Sequence, residues 1–326
     1  MKKAQHPLRA RWFMLSAAKS KPLSILRLCL TLICLFVALQ SRAADKKVAE
    51  VLASARTHVD SYRHCETALV EANQVIAMDP RLVEAYLIKA QCQDYLIGAD
   101  PAIDTLQLAL RIDGRSALCL KTLGTLYDAK RQFDKAIQCY SRARLVYPND
   151  VDVLHLRSMA YTQTKQGALA IADTTKCIQL DAKKSAPYEW RAGAYELVGQ
   201  YDKAIDDLNK GMTLAPSNQK SRFLIHRADL FHELKKFKEA INDYSTLLKL
   251  NSLDETFWLK RGDCRMATGD YESAITDYTE TIALSDTSTA YFARSRAYEK
   301  LGRLDLASKD RVKGEQLSRS KLVRPI

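Results

Sequence analysis

Six cysteines and a few scattered histidines are the residues of this chain whose chemistry could be out of the ordinary. Cys65, Cys92, Cys119, Cys139, Cys177 and Cys264 follow a basic and apolar leader that holds two more, Cys29 and Cys34. No two are spaced C-x-x-C, the arrangement that poises a redox dithiol or a zinc knuckle. His64 and Cys65 are neighbours, with His58 close by. Adjacent residues on a helix point about 100° apart, and His58 is nearly two turns away, so no metal site is expected there. His155, His226 and His232 are dispersed along the chain. Neither a G-x-S-x-G elbow, a P-loop, a dinucleotide fingerprint nor a zinc-hydrolase signature occurs. Carboxylates are numerous, yet none stands where its pKa would be raised for acid–base work. Catalysis, metal binding and cofactor use are not expected.

A second set of residues has a spacing that is informative. Arg157, Arg191, Arg227, Arg261 and Arg294 each precede an aspartate by sixteen residues: Asp173, Asp207, Asp243, Asp277 and Asp310. At the corresponding earlier places stand Ala55 and Glu71, Lys89 and Thr105, and Leu123 and Cys139. Where Arg is lost, Asp is lost with it. The pairs read as structural, partly buried ion pairs between facing helices, within one hairpin or across neighbouring ones. Arg suits that role because its planar fork matches a carboxylate.

The elements that hold these residues emerge from one stretch, ETFWLKRGDCRMATGDYESAITDYTETIALSD, residues 255–286. Trp258, Gly262, Gly269, Tyr271, Ala274, Tyr278 and Ile282 are spaced for two short helices, about 257–268 and 271–283, meeting across a tight turn. A lone hairpin of this kind cannot bury its apolar faces and must stack on copies of itself. Copies are present. Ala68, Ala102, Ala136, Ala170, Ala204, Ala240, Ala274 and Ala307 recur at steps of 34, 34, 34, 34, 36, 34 and 33 residues. Each marks the buried stripe of a second helix, at a crossing too close for a longer side chain. The spacing predicts an all-α array of about eight stacked helix-turn-helix units over 49–321, starting near 49, 83, 117, 151, 185, 221, 255 and 288. The first unit, with an irregular turn, and the eighth, with Leu304 in place of an aromatic, read as caps. A short capping helix is expected beyond Gly314. In this frame Cys92 and Cys264 share a repeat position, and the cysteines read as buried small hydrophobes. Export would also permit disulfides, and Cys119 with Cys139, facing each other in one hairpin, is then the pair expected.

Residues 1–43 differ from the rest. They carry eight Lys or Arg and no acidic residue, then LCLTLICLFVAL over 28–39 and the small residues Ser41 and Ala43. This is the pattern of a secretory signal peptide; the alternative is a retained signal anchor over 23–40. A short linker, 44–48, would follow, and 322–326 would be a tail. The leader accounts for most of the formal charge of +12, leaving +4 for the remainder. No footprint for nucleic acid is left. Membrane contact is expected through the N-terminal segment alone, if it is uncleaved. Export places the protein in a periplasm, an ER lumen or the extracellular space.

On the residues Trp258, Gly262, Ala274 and Tyr278, and on Leu120, Gly124, Tyr127, Ala136 and Pro148 of the third unit, the chain resembles the tetratricopeptide repeat family. The resemblance covers roughly residues 49–320. It implies a right-handed superhelical solenoid in which the first helix of each unit lines a concave groove. It also implies a non-enzymatic scaffold that holds a protein or peptide partner there. Matching groove positions give Leu87, Gln91 and Tyr95 in the second unit, Lys121 in the third, and His155 and Met159 in the fourth. Further along come Glu189, then Arg222, Ile225, Asp229 and His232, then Leu259, Asp263 and Met266. One subclass grips the acidic tails of heat-shock chaperones with Lys, Asn and Arg at these positions, and this sequence departs from that pattern. Other readings are a secretory-compartment co-chaperone that holds unfolded segments, given a continuous strip of Leu87, Tyr95, Met159, Ile225, Leu259 and Met266, and a structural assembly subunit.

Overall fold

The computed structural model describes residue 40, residues 42–59 and residues 64–322. The leader over 1–39, with the signal-peptide and anchor readings attached to it, lies outside them, as do residues 323–326 of the tail. Among the described residues the architecture is all-α, a row of helical hairpins. They fall into two compact units, one ending at Val146 and the other beginning at Tyr147.

In the first unit, α1 occupies residues 42–59. It is followed by α2 (Cys65–Met78), α3 (Val83–Leu96), α4 (Ala99–Ile112), α5 (Ala117–Ala129) and α6 (Phe133–Val146). Residues 44–48 are thus helical rather than a linker. The second unit contains α7 (Val151–Gln163), α8 (Gly167–Leu180), α9 (Ala186–Leu197), α10 (Tyr201–Leu214), α11 (Lys220–Glu233), α12 (Phe237–Leu250), α13 (Glu255–Thr268), α14 (Tyr271–Leu284), α15 (Ser288–Lys300) and α16 (Leu304–Leu322). Odd-numbered helices open the hairpins and even-numbered ones close them. Within each unit, each closing helix packs on the opening helix of the next hairpin in that unit, and each from α4 on packs on its own opening helix; α1 joins α2 through a cluster of Leu52, Ala55 and Val59 with Ala68 and Ala72. No separate cap follows Gly314, because α16 runs through it: the Gly314 backbone faces the Phe292 ring, and a Cβ there would stand 2.7 Å from it.

Close approach explains the small residues. Ala68, Ala102, Ala136, Ala170, Ala204, Ala240 and Ala274 are all fully buried. Tyr140, Tyr244 and Tyr278, among the largest fully buried side chains, fill the space that the small residues leave. A Cβ at Gly262 would lie 2.7 Å from the Tyr278 ring, and one at Gly124 would lie 2.5 Å from Tyr140. The turns inside the third to eighth hairpins each take a left-handed residue, supplied in three of them by Gly199, Gly269 and Gly302 with φ of 75°, 81° and 72°. Arg131, Lys165 and Lys235 take the same place in sister hairpins with φ of 57–59°, where a Cβ crowds the following carbonyl.

All six described thiols are free and buried. Cys119 and Cys139 share one core cluster but do not form the bridge that export would have permitted.

Candidate functional site

The Arg–Asp pairs lie within hairpins, each tying an opening helix to its closing one. In the fourth hairpin, Arg157 donates through Nε and Nη2 to the two oxygens of Asp173 at 2.7 and 2.6 Å. Arg191 does the same to Asp207 at 2.7 and 2.8 Å, and Arg227 to Asp243 at 2.8 and 2.7 Å. Arg261 grips Asp277 at 3.1 and 2.7 Å, and Arg294 grips Asp310 at 2.8 and 2.9 Å. Each guanidinium also lies over an aromatic ring, for example 4.8 Å from Trp258 for Arg261 and 5.4 Å from Tyr161 for Arg157. The ring shields the pair and adds cation–π attraction.

The third donor of the fork reaches back to the previous hairpin, a contact that the sixteen-residue spacing does not reveal. Arg191 Nη1 donates to Thr175 at 3.3 Å, Arg261 Nη1 to Ser245 at 3.1 Å and Arg294 Nη1 to Thr279 at 3.0 Å. Arg227 Nη1 meets Asn209 in the same way. Each of these polar residues stands two places after the preceding aspartate, a signal the sequence does carry. Asp310 instead has Val312 at that place, half exposed on the closing helix of the last hairpin described. One arginine therefore staples both its own hairpin and its neighbour. The first unit solves the problem with other groups. Glu71 accepts from Ser54 at 2.7 Å and sits 2.8 Å from His58 Nδ1. Burial opposes the Glu71 charge, but the bonds from His58 and Ser54 outweigh it and hold the carboxyl below its ordinary value. Thr105 donates to Gln93 at 2.6 Å.

With the hairpins fixed in this way, the opening helices of the second unit form a wall, α7, α9, α11 and α13 in order. Several of its expected binding residues are engaged with the neighbouring helix. Arg222 on α11 pairs with Glu189 on α9 at 3.0 Å, and His226 on α11 pairs with Glu196 on α9 at 2.7 Å. Donation from His226 to the Glu196 carboxylate raises the His226 pKa against the opposing effect of burial. Asp229 accepts from Tyr244 at 2.6 Å and from Lys260 on α13 at 2.8 Å, and Asp263 accepts from Tyr278 at 2.8 Å. Both tyrosine pKa values are pushed up, by burial first and by their aspartates next, so the hydroxyls remain donors. The His155 ring stacks on Trp190 with centroids 3.5 Å apart, and burial lowers its pKa. His232 packs edge-on against Phe237.

The apolar candidates separate into two groups. Leu87 is buried, 6% exposed, and cannot meet a partner. Ile225, Leu259 and Met266 are half-buried against core clusters. Tyr95 and Met159 are exposed, at 62% and 45%. With Leu87 buried, the six do not make one exposed strip. Gln91 is exposed and Lys121 half-buried. At the repeat position equivalent to Met159, on the next opening helix of the wall, Gly193 leaves a dip: a Cβ there would meet nothing within 4 Å. Among the described residues no group of three or more His, Cys, Asp or Glu could hold a metal ion, and no helix is long and apolar enough to cross a membrane.

Family profiles described as tetratricopeptide repeat match residues 187–218, 226–288 and 265–308. The chain is a tetratricopeptide repeat protein. Among curated relatives, this tetratricopeptide repeat protein is similar to human tetratricopeptide repeat protein 13, 26% identical over 172 residues, which is 51% of this chain and 20% of that one. It is also similar to human serine/threonine-protein phosphatase 5, 27% identical over 122 residues, 37% of this chain and 24% of the relative. The chain thus spans about a fifth to a quarter of the length of these relatives. Among solved structures, a tetratricopeptide repeat protein from Parabacteroides merdae superposes with a TM-score of 0.56 at 17% identity, covering 81% of this chain and 99% of that one. PilF of Pseudomonas aeruginosa does so with 0.55 at 17% identity, covering 69% and 99%. Those two likenesses are of fold. A tetratricopeptide array of this kind is a non-catalytic scaffold for protein interaction.

Proposed function

We propose that the chain holds a protein or peptide partner on the wall formed by its opening helices, with α7, α9, α11 and α13 of the second unit as the principal face. The observation that carries the reading is the set of bonds between successive opening helices. Glu189–Arg222, Glu196–His226 and Asp229–Lys260 fix the wall before any partner arrives, so binding does not have to order it. Met159 and the dip at Gly193 remain available on that face. The composition of residues 1–43 supports the further proposal of an exported protein, checked by the mass of the mature amino terminus.

Gly193→Arg fills the dip without touching the core and is the natural test. A partner captured by the full-length protein should bind the variant at least about tenfold more weakly, because a displaced anchor at the centre of an interface is worth upwards of about 1.4 kcal/mol. The thermal midpoint should not fall, since a Cβ at Gly193 meets nothing and Arg is the better helix former. Full-strength binding by Gly193→Arg and by Met159→Glu together would overturn the assignment of this face.

A further inference from the structure

In the third hairpin the three places of the arginine staple hold residues that cannot form it. They are Leu123 on α5, Cys139 on α6 and, for the residue reached in the previous hairpin, Gln107 on α4. Gln107 stands two places after Thr105, as Thr175 stands two places after Asp173. The first two hairpins also lack the arginine, but other side chains bond across them: Glu71 with Ser54 and His58, and Thr105 with Gln93. In the third, Leu123, Cys139 and Gln107 all line a cavity of about 400 Å³ between α4, α5 and α6.

The lining divides by chemistry. Leu123 and Cys139 are buried, at 4% and 6% exposure, and with the half-buried Tyr127 they make an apolar floor. Burial pushes the Cys139 thiol up to about 11 against the pull of Arg142, so the floor carries no charge. Arg111, Lys135 and Arg142 are exposed at the rim, and no carboxylate lines the cavity. Among the described residues none of these three cations is held by a carboxylate. Arg142 donates to the Gly114 carbonyl at 3.1 Å, and the Lys135 ammonium lies 5.3 Å from the centroid of the Tyr127 ring. Gln107 Nε2 donates to the Tyr127 hydroxyl at 3.1 Å and ties the α4 side to the α5 side. Cations of one sign around a cleft with apolar walls focus their field on it. Small-molecule sites have volumes of about 300–1,000 Å³, and this cavity lies at the lower end.

We propose that the cleft between α4, α5 and α6 binds a free small organic anion, a body the size of one ring that carries a phosphate or carboxylate. The body rests on Leu123, Tyr127 and Cys139, in the space that the arginine side chain takes in the sister hairpins. The anionic group is held by the rim cations, whose mutual repulsion it relieves. The cleft lies in the first unit, on helices other than the wall of α7, α9, α11 and α13, so the two sites stand or fall separately.

Isothermal titration calorimetry of the full-length protein at low ionic strength tests this, with phenyl phosphate as the probe and inorganic phosphate and phenol as its two halves. Phenyl phosphate should bind at one site, at least about tenfold more tightly than either half, because it meets both floor and rim. Combining Arg111→Gln, Lys135→Gln and Arg142→Gln should weaken it at least about tenfold and remove most of its salt dependence. Leu123→Arg with Cys139→Asp rebuilds the staple, with Gln107 as its third acceptor, and should fill the cleft and abolish binding. If that double variant does not fold, the triple variant, confined to exposed side chains, decides by itself. Failure of phenyl phosphate to bind, inorganic phosphate binding as tightly, or unchanged affinity in the triple variant or in a folded double variant would refute the proposal.

Discussion

Arg157 and Asp173 face each other in a two-bond fork, at 2.7 and 2.6 Å, with side chains only 8% and 6% exposed. A pair this buried is unforgiving of one-sided change. Asp173→Ala leaves a guanidinium without its counter-ion and should lower stability by about 3–5 kcal/mol. The double variant Arg157→Met with Asp173→Leu should lose much less, since apolar residues of similar volume need no partner. Urea titration of Asp173→Ala and of the double variant decides it; equal losses for the two would contradict the account.

Gly262 and Gly193 are both interior to opening helices and should respond to alanine in opposite ways. At Gly262 the new methyl meets the fully buried Tyr278 ring at 2.7 Å, an overpacking that should cost about 1–3 kcal/mol. At Gly193 it meets nothing, so the gain in helix propensity should stabilise by about 0.5–1 kcal/mol. Unfolding of the two variants under the same conditions gives the sign directly.

Lys165 and Lys235 hold left-handed turn positions that Gly199 and Gly269 fill elsewhere. Lys165→Gly and Lys235→Gly should each raise stability by about 1 kcal/mol by relieving the Cβ crowding, less whatever the freer unfolded chain takes back. Melting curves showing a loss at both sites would mean that the backbone there is not strained.

Stability should also depend on pH through His226. Its folded pKa is raised, chiefly by the hydrogen bond to Glu196, with Glu189 and Asp229 adding to the field and burial opposing. A raised histidine contributes stability fully below its unfolded pKa, about 6.5, and loses it as pH climbs through the folded value. The wild type should therefore weaken from pH 6 towards pH 8.5, and Glu196→Gln should flatten that slope. His155, lowered by burial, acts in the opposite sense and loses stability as the pH falls below its unfolded pKa, so His155→Gln separates the two.

Much of the fold was legible because it is set by demands local to one repeat. An alanine where two helices cross and an aromatic beside the turn are fixed by spacing along the chain. The sixteen-residue step from Arg157 to Asp173 was readable for the same reason, although it left open whether the pair closed a hairpin or bridged two. The wall was less legible. Asp229 reads as an available groove charge, yet Tyr244 and Lys260 already occupy it, and Leu87 reads as a contact but points into the core.

The sequence by itself determined the repeat, its length, its buried alanines and the residues able to form ion pairs, since these follow from periodicity and the size of side chains. Tertiary structure decided which charges are engaged and which side chains share a core. Those outcomes depend on how one hairpin is set against the next, a rotation between rigid elements that side-chain spacing within a repeat does not encode. Asp229 and Lys260 are 31 residues apart in the chain, and only the packing of α11 beside α13 brings them together.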